Sequence, residues 1–467
     1  MRMLIDGHWR AAEETFEVLD PQDGAVVDTV PLGRGVDMRA AITAATLSLA
    51  TPFPTHARIS VLSAAASHLQ DAAKSFAITI AREGVKTIRE ARLEVSRCID
   101  TLRLSAEEAR RLHGETVNFD QRAGNEHRFG YWVREPVGVI GAITPFNDPL
   151  NLVAHKLGPA LAGGNAVILK PDSKTPLSGI RLVEALHDAG APAGRVQVVT
   201  GHGRRVGKTL TTDPRVRMIS FTGGLDAGEE VVREAGLKKI SMELGSNCPV
   251  IVMDDADLDA AVPSCVSGAF WAAGQNCLHV QRLLVHETVY EEFRARFVRG
   301  AEAVVSGSKL DEGTDMGPLI DEAAARRVET AVESAVAAGG TLLTGGTRDG
   351  SFFAPTVLEN VPPIAPLSCE EIYGPVTVLY RFADLDTAIR LANGTDYGLQ
   401  AGVFTASLST ARRAAAELEF GGVMINESTD FRIDAVPFGG RKRSGLGREG
   451  VRFALEEMTE PKLVCFS

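Results

Sequence analysis

Residues 137–176, VGVIGAITPFNDPLNLVAHKLGPALAGGNAVILKPDSKTP, decide the fold. VGVIGAIT (137–144) and AVILK (166–170) are apolar runs of strand length, the pattern of strands buried on both faces of a parallel sheet. Helix-forming sequence separates them. After the second run Thr175 can cap and Pro176 can open a helix with Ile180, Val183 and Leu186 on its apolar face and Gly190 at its end. Moving outward, VQVVT (196–200), MISFTG (218–223) and ISMEL (240–244) continue the rhythm. Strand and helix in alternation predict an α/β fold with a doubly wound, Rossmann-type nucleotide-binding sheet.

A second α/β region follows from PVIVM (249–253), a helix near 259–272, RLLVH (282–286) and a helix through Val289, Phe293 and Phe297. Helices at 321–338 and 384–393 and strands near 402–404 and 423–426 extend it. Toward the N-terminus the first 110 or so residues read as mainly helical, with stretches at 57–81 and 86–113, the latter ended by Gly114. Residues 115–136 carry a turn-like Ala123-Gly124-Asn125 and predict a hairpin suited to an oligomer arm, to which the last 17 residues return as a strand. PFGGRKRSGLGREG (437–450) reads as a loop.

Composition narrows the function. The chain has 467 residues, 60 acidic and 49 basic, a net charge of −11, and 45% hydrophobic residues, which excludes a disordered chain and a small disulfide scaffold. The acidic balance argues against nucleic acid, whose phosphates are held by clustered Lys and Arg. Asp6 stands where a signal peptide needs an apolar stretch, and no run approaches 18 apolar residues, so a cytoplasmic protein without membrane contact is expected. Cys98, Cys248, Cys265, Cys277, Cys369 and Cys465 show no C-x-x-C spacing and no nearby His for zinc, and read as free thiols with no metal site.

Three residues stand out chemically. Cys277, in the polar segment GQNCLHVQR, is a reachable thiol, although a free Cys is most often a small buried hydrophobe. Glu243, in the apolar strand SMELGSNCPVIVM, is either a carboxyl raised toward neutrality for base catalysis or a strand-end carboxylate with an amide or Lys partner. Asn147, in TPFNDP, can donate to an oxyanion or be a turn asparagine. LKPDSKTP (169–176) and FTGGLDAGEEV (221–231) follow two parallel strands, where open sheets bind ligands. The second opens a helix and suits a pyrophosphate, without the usual G-x-G-x-x-G.

In order and spacing, TPFND, LKPDSKTP, FTGG-x-x-x-G, MELGSN, GQNC-x-x-x-x-R, EEIYGP and PFGGRKRSGLGREG resemble the aldehyde dehydrogenase superfamily along essentially the whole chain. The resemblance implies a cofactor domain (1–114 and 137–244), a catalytic domain (245–430), and an oligomerisation arm and tail (115–136 and 431–467), with a homodimer or homotetramer as the assembly. It implies Cys277 as nucleophile, Glu243 as general base and Asn147 as oxyanion donor. Lys170 then assists the adenosine ribose, Glu371 holds the nicotinamide ribose, and Thr144, Phe146, Phe221, Gly223, Gly224, Leu244 and Tyr373 complete the cofactor site. Tyr373 replaces the commoner Phe, and Ser246-Asn247-Cys248 replaces Gly-Lys-Asn. The retained Glu243 argues for water rather than coenzyme A as acyl acceptor.

NAD-preferring relatives usually carry Glu at the position of Ser173, so NADP is expected to serve at least as well as NAD. His155 and the segment NESTDFRIDAVPFGG (426–440) look like the branch acting on phosphonoacetaldehyde and lactaldehyde. In its phosphonate-oxidising members that His and a helical Arg, matched here by Arg103, hold the anion. Asn276 occupies the position of a further Arg beside the nucleophile. The expected substrate is thus a small, phosphono-type anionic aldehyde, and lactaldehyde and semialdehydes are the alternatives. A hydrolase using only Cys277 and Glu243, and a noncatalytic binding protein, are the rivals from other classes.

Overall fold

The computed structural model describes residues 1–467. Five strands, Val139–Ile143, Ala166–Lys170, Val196–Val198, Val216–Thr222 and Lys239–Glu243, pair in parallel at the centre of an eight-stranded sheet. From Val139–Ile143 the chain steps outward to Ala166–Lys170 and Val196–Val198, then returns to the other side for Val216–Thr222 and Lys239–Glu243. The strand order therefore reverses between Val139–Ile143 and Val216–Thr222, and a crevice opens beyond their carboxyl ends.

A second sheet of seven strands runs Thr341–Thr344, Thr356–Glu359, Val376–Phe382, Val280–His286, Cys248–Val252, Gln400–Phe404, Gly422–Ile425. All but the first pair in parallel. Each sheet is sandwiched by helices over its own apolar cores. The strand Phe129–Pro136 pairs on one side with Glu115–Val117 and on the other with Thr459–Phe466, so the tail does return to the arm. Its Phe129, Leu463 and Phe466 are exposed. No helix is long and apolar enough to cross a membrane.

Several expectations need correction. Residues 1–31 are not helical: Met3–Ile5 and His8–Arg10 extend the first sheet by antiparallel pairing, and Thr15–Leu19 pairs with Val26–Pro31. A three-residue strand that exists because Leu4 meets Val198 has no periodicity of its own to read. The stretch 57–81 is two helices, Thr55–Asp71 and Ala73–Glu83, broken at Ala72. The helix Ile88–Arg111 ends before Gly114, whose missing side chain instead lets the Trp132 carbonyl approach. The segment 437–450 is not all loop, because Gly445–Leu446 adds an antiparallel edge to Lys239–Glu243.

Buried carboxylates do the capping that short side chains were expected to do. Thr175 makes no cap bond at the helix Pro176–Asp188; the Leu177 and Ser178 amides donate to the buried Glu83 carboxylate at 2.6 and 2.7 Å. Burial pushes Glu83 up to about 7, against the pull of these donors.

Candidate active site

The crevice is a cavity of about 860 Å³ lined by Thr144, Phe146, Asn147, Lys170, Phe221, Gly223, Gly224, Glu243, Leu244, Cys277, Glu371 and Tyr373 among others. Twelve residues singled out from the sequence are thus gathered in one place. Its walls are shaped by small residues: a Cβ at Gly245 would collide with the Glu371 carboxylate, and one at Gly228 with Leu244. The helix Leu225–Ala235 begins here at Gly224, so its free amides and positive end face the cavity.

Cys277 follows a run of three left-handed residues, Ala272 (φ 50°), Ala273 (φ 54°) and Gly274 (φ 68°). Such a conformation costs a non-glycine residue about 1–3 kcal/mol and needs its surroundings to hold it. The Ala272 amide donates to the buried Glu90 carboxylate at 2.7 Å. Gln275 donates to the Ala272 and Pro318 carbonyls and accepts from the Ile320 amide. Asn276 spends its amide on this turn, donating to the Trp271 carbonyl and accepting from the Leu278 amide, so it braces the loop rather than lining a substrate site. Cys277 itself is half-buried. Burial pushes its thiol well above the ordinary range, and the Arg432 charge pulls the other way.

Glu243 ends the strand Lys239–Glu243, is 3% exposed, and neither carboxyl oxygen has a partner. Burial and the neighbouring Glu449 push it well above the usual carboxylate range, while Arg432, Lys156 and Arg448 oppose the shift. The alternative of a strand-end carboxylate with a bonded partner is therefore not what the chain builds. Glu449 is itself held down to about 2: burial works against ionisation, but Lys156 and Arg432 outweigh it, each donating to it at 3.0 Å.

Asn147 sits in the turn after Val139–Ile143 with its Oδ1 unpartnered. Its neighbour Asp148 is ion-paired to the buried Lys86, which also donates to Glu94. Glu94 in turn accepts from the Leu150 and Asn151 amides, capping the helix Asn151–Ala162. A relay of buried charges thus fixes the asparagine turn.

Glu371 accepts from the Ser246 amide at 2.8 Å, and burial raises it to about 7. Tyr373 adopts φ 48° and meets Phe146 edge-on at 5.7 Å. Arg327, which the sequence reading missed, lines the cavity and donates to the Ile372 carbonyl at 2.6 Å. Lys170 is 6% exposed, and burial lowers its pKa.

Two expectations fail on geometry. Ser173 lies outside the cavity lining, in a separate cleft with Lys174, Glu17 and Asp321. Asp172 accepts from the Lys174 amide in a tight turn and is the residue that faces the cavity, together with Arg204 and Lys208. Arg103 is exposed and bonded to Gln70 on the outer face of its helix. Six residues at about 100° each place it roughly 120° from the face of Arg97.

It is Arg97 that reaches His155, through Asp434: Arg97 donates to both Asp434 oxygens at 3.1 and 2.7 Å, and His155 Nε2 lies 2.8 Å from Oδ1. Arg432 stands 3.5 Å from the same His155 nitrogen. The polar ladder Glu94, Arg97, Thr101, Ser105, at helical spacing on a buried face, was the signal for this register. Lys156 was equally readable as a charge within the fully buried helix NLVAHKLGPALA.

The profile of the aldehyde dehydrogenase family matches residues 9–464. The chain is 53% identical over 462 residues to aspartate-semialdehyde dehydrogenase 1 of Pseudomonas canavaninivorans, covering 97% of each. It is 42% identical over 465 residues to 3-sulfolactaldehyde dehydrogenase of Priestia megaterium, covering all of this chain and 98% of the relative. The latter agrees with the lactaldehyde side of the resemblance. The crystal structure of NADP-dependent glyceraldehyde-3-phosphate dehydrogenase from Bacillus halodurans, complexed with NADP, superposes with a TM-score of 0.97 at 38% identity, covering 100% of this chain and 99% of that one. By sequence over nearly its whole length and by fold, this chain belongs to the aldehyde dehydrogenase family.

Proposed function

We propose that this enzyme oxidises a small aldehyde bearing an anionic group to its carboxylic acid, through a Cys277 thiohemiacetal and thioester, with NADP accepted at least as well as NAD. The observation that carries the substrate reading is Arg432: its positive charge acts on the Cys277 thiol, and it stands 3.5 Å from His155 Nε2 and shares the neighbour Asp434 with Arg97. Asp434, Glu449 and Asp148 balance these cations in the absence of substrate, and Glu243 is held toward its neutral form. The relatives named for aspartate semialdehyde and 3-sulfolactaldehyde support a carboxylate first and a sulfonate or phosphonate next.

The cavity fits a nicotinamide dinucleotide. Lys170 and Glu371 would hold its two riboses, the Gly224 helix start its pyrophosphate, and Phe146 and Tyr373 the walls. When bound it supplies the hydride acceptor. Lys170, Arg204 and Lys208 line this cavity with Asp172, Asp226, Glu230 and Glu234, and the support for NADP is the fold shared with the NADP-bound relative from Bacillus halodurans.

The chain's own chemistry follows from its protonation states. Cys277 rests as a thiol and becomes the nucleophile on losing its proton, adding to the carbonyl carbon. The Asn147 side-chain amide and the Cys277 N–H stabilise the oxyanion. After oxidation Glu243, once ionised, takes a proton from water, which attacks the thioester and frees the thiolate.

The test is a steady-state panel of aspartate semialdehyde, 3-sulfolactaldehyde, phosphonoacetaldehyde and lactaldehyde with each cofactor, read by reduced-nicotinamide absorbance. An anionic aldehyde should exceed lactaldehyde in kcat/KM by roughly tenfold or more, the worth of one charge-assisted contact. Lactaldehyde equal to all three would refute the anion reading.

A further inference from the structure

We propose that Asp434 is the positioning residue behind this enzyme's preference for anionic aldehydes, because it joins Arg97, His155 and Arg432, from three separate chain segments, at one point. The proposal rests on the substrate reading above and names what builds that site.

Arg97 belongs to the helix Ile88–Arg111, His155 to Asn151–Ala162, and Arg432 to the segment 426–440. Nothing local in the chain brings them together. Asp434 does: it is 6% exposed, takes both Arg97 bonds and the His155 contact, accepts weakly from Asn151 at 3.3 Å, and lies 3.8 Å from Arg432 Nε. Its own carbonyl accepts from the Val451 amide at 3.2 Å, tying the segment to the C-terminal helix.

The carboxylate uses one edge of each partner and leaves another. Arg97 is engaged through Nε and Nη2, so Nη1 makes no hydrogen bond within the chain. His155 is 1% exposed and its Nδ1 has no partner. Arg432 is held from a second direction by Glu449 and rests over the Phe438 ring at 3.8 Å. Two arginines this close repel each other and lose much rotamer freedom when ordered, costs that a shared carboxylate offsets. A substrate anion would then meet donors already in place.

The opposite sign is physically available, which makes the idea testable. If Asp434 merely competed with the substrate's anion, removing its charge would raise the positive potential and lower KM. Positioning predicts the reverse. The experiment compares 3-sulfolactaldehyde with lactaldehyde on wild type, Asp434→Asn and Asp434→Glu, with cofactor binding by fluorescence as the check on folding. Asp434→Asn should raise KM for 3-sulfolactaldehyde roughly ten- to hundredfold and KM for lactaldehyde by at least several-fold less. Asp434→Glu, which keeps the charge but shifts it, should fall between. A lower or unchanged KM for the anionic substrate, or equal losses on both substrates, overturns the proposal. Should the Asn variant not fold, a Glu variant with the wild-type substrate ratio overturns it and a reduced ratio supports it. A wild-type ratio near one overturns the substrate reading itself before any variant is measured.

Discussion

The cofactor cavity and the charged cluster around Asp434 are built in different ways. The cavity is made from strand ends and the turns that follow them: Thr144 to Asn147 after one strand, Lys170 to Asp172 at the end of the next, Phe221 to Gly224 at the end of a third. Each turn carries its own chemistry in a short stretch of sequence. The cluster is made from single side chains on a long helix, a buried helix and a late loop, with Arg97 and Asp434 337 positions apart. Strand-end chemistry is written locally, whereas a convergent charge cluster is written only in the helical phase of distant residues.

The sharpest way to break this comparison is at the residue where the two regions meet. Cys277→Ser should reduce turnover by about four orders of magnitude or more while cofactor still binds, since a hydroxyl is a far poorer nucleophile than a thiolate. Substantial turnover by that variant would sink the proposed chemistry. Next comes Glu243→Gln, expected to lower kcat by roughly 10²–10⁴-fold yet keep a burst of reduced cofactor, because the base acts after hydride transfer. Rapid mixing checks it; loss of the burst with intact cofactor binding would move Glu243 to an earlier step.

The cluster side is probed by the two arginines. Arg97→Ala should raise KM for 3-sulfolactaldehyde about ten- to hundredfold, and Arg103→Ala by less than about twofold, since only the first reaches Asp434. Equal effects would mean that the helix presents another face. The smallest effect belongs to the cofactor side. Burial raises Glu371 to about 7, so it becomes a stronger, charged acceptor for ribose hydroxyls as pH rises through that value. KM for the cofactor should therefore increase several-fold as pH falls from about 8 to about 6, and the profile should flatten in Glu371→Gln. A flat profile in the wild type would show that the ribose is held by other groups.

How much was legible follows the same line. The five central strands could be read because a strand buried on both faces must be continuously apolar, and VGVIGAIT and AVILK are. Cys277 and Glu243 could be read because each breaks its surroundings, one as a polar context for a thiol, the other as a charge in an apolar strand. The Asp172–Ser173 pair shows where this stops. Both residues sit in one turn, braced by a hydrogen bond from the Lys174 amide to Asp172, yet Asp172 lines the cavity while Ser173 lines a separate cleft.

The alternation of strand and helix, the doubly wound layout with ligand-binding strand ends, and the residues that answer to a dehydrogenase were all written in the chain's order of residues. The tertiary structure alone decided that residues 1–10 join a sheet, that Glu83 rather than Thr175 caps a helix, and that Arg97 rather than Arg103 meets His155. The physical reason is one of range. Hydrophobic periodicity and turn chemistry are set by neighbours a few residues away, while buried charges are tolerable only where a partner from elsewhere in the chain arrives within about 3 Å.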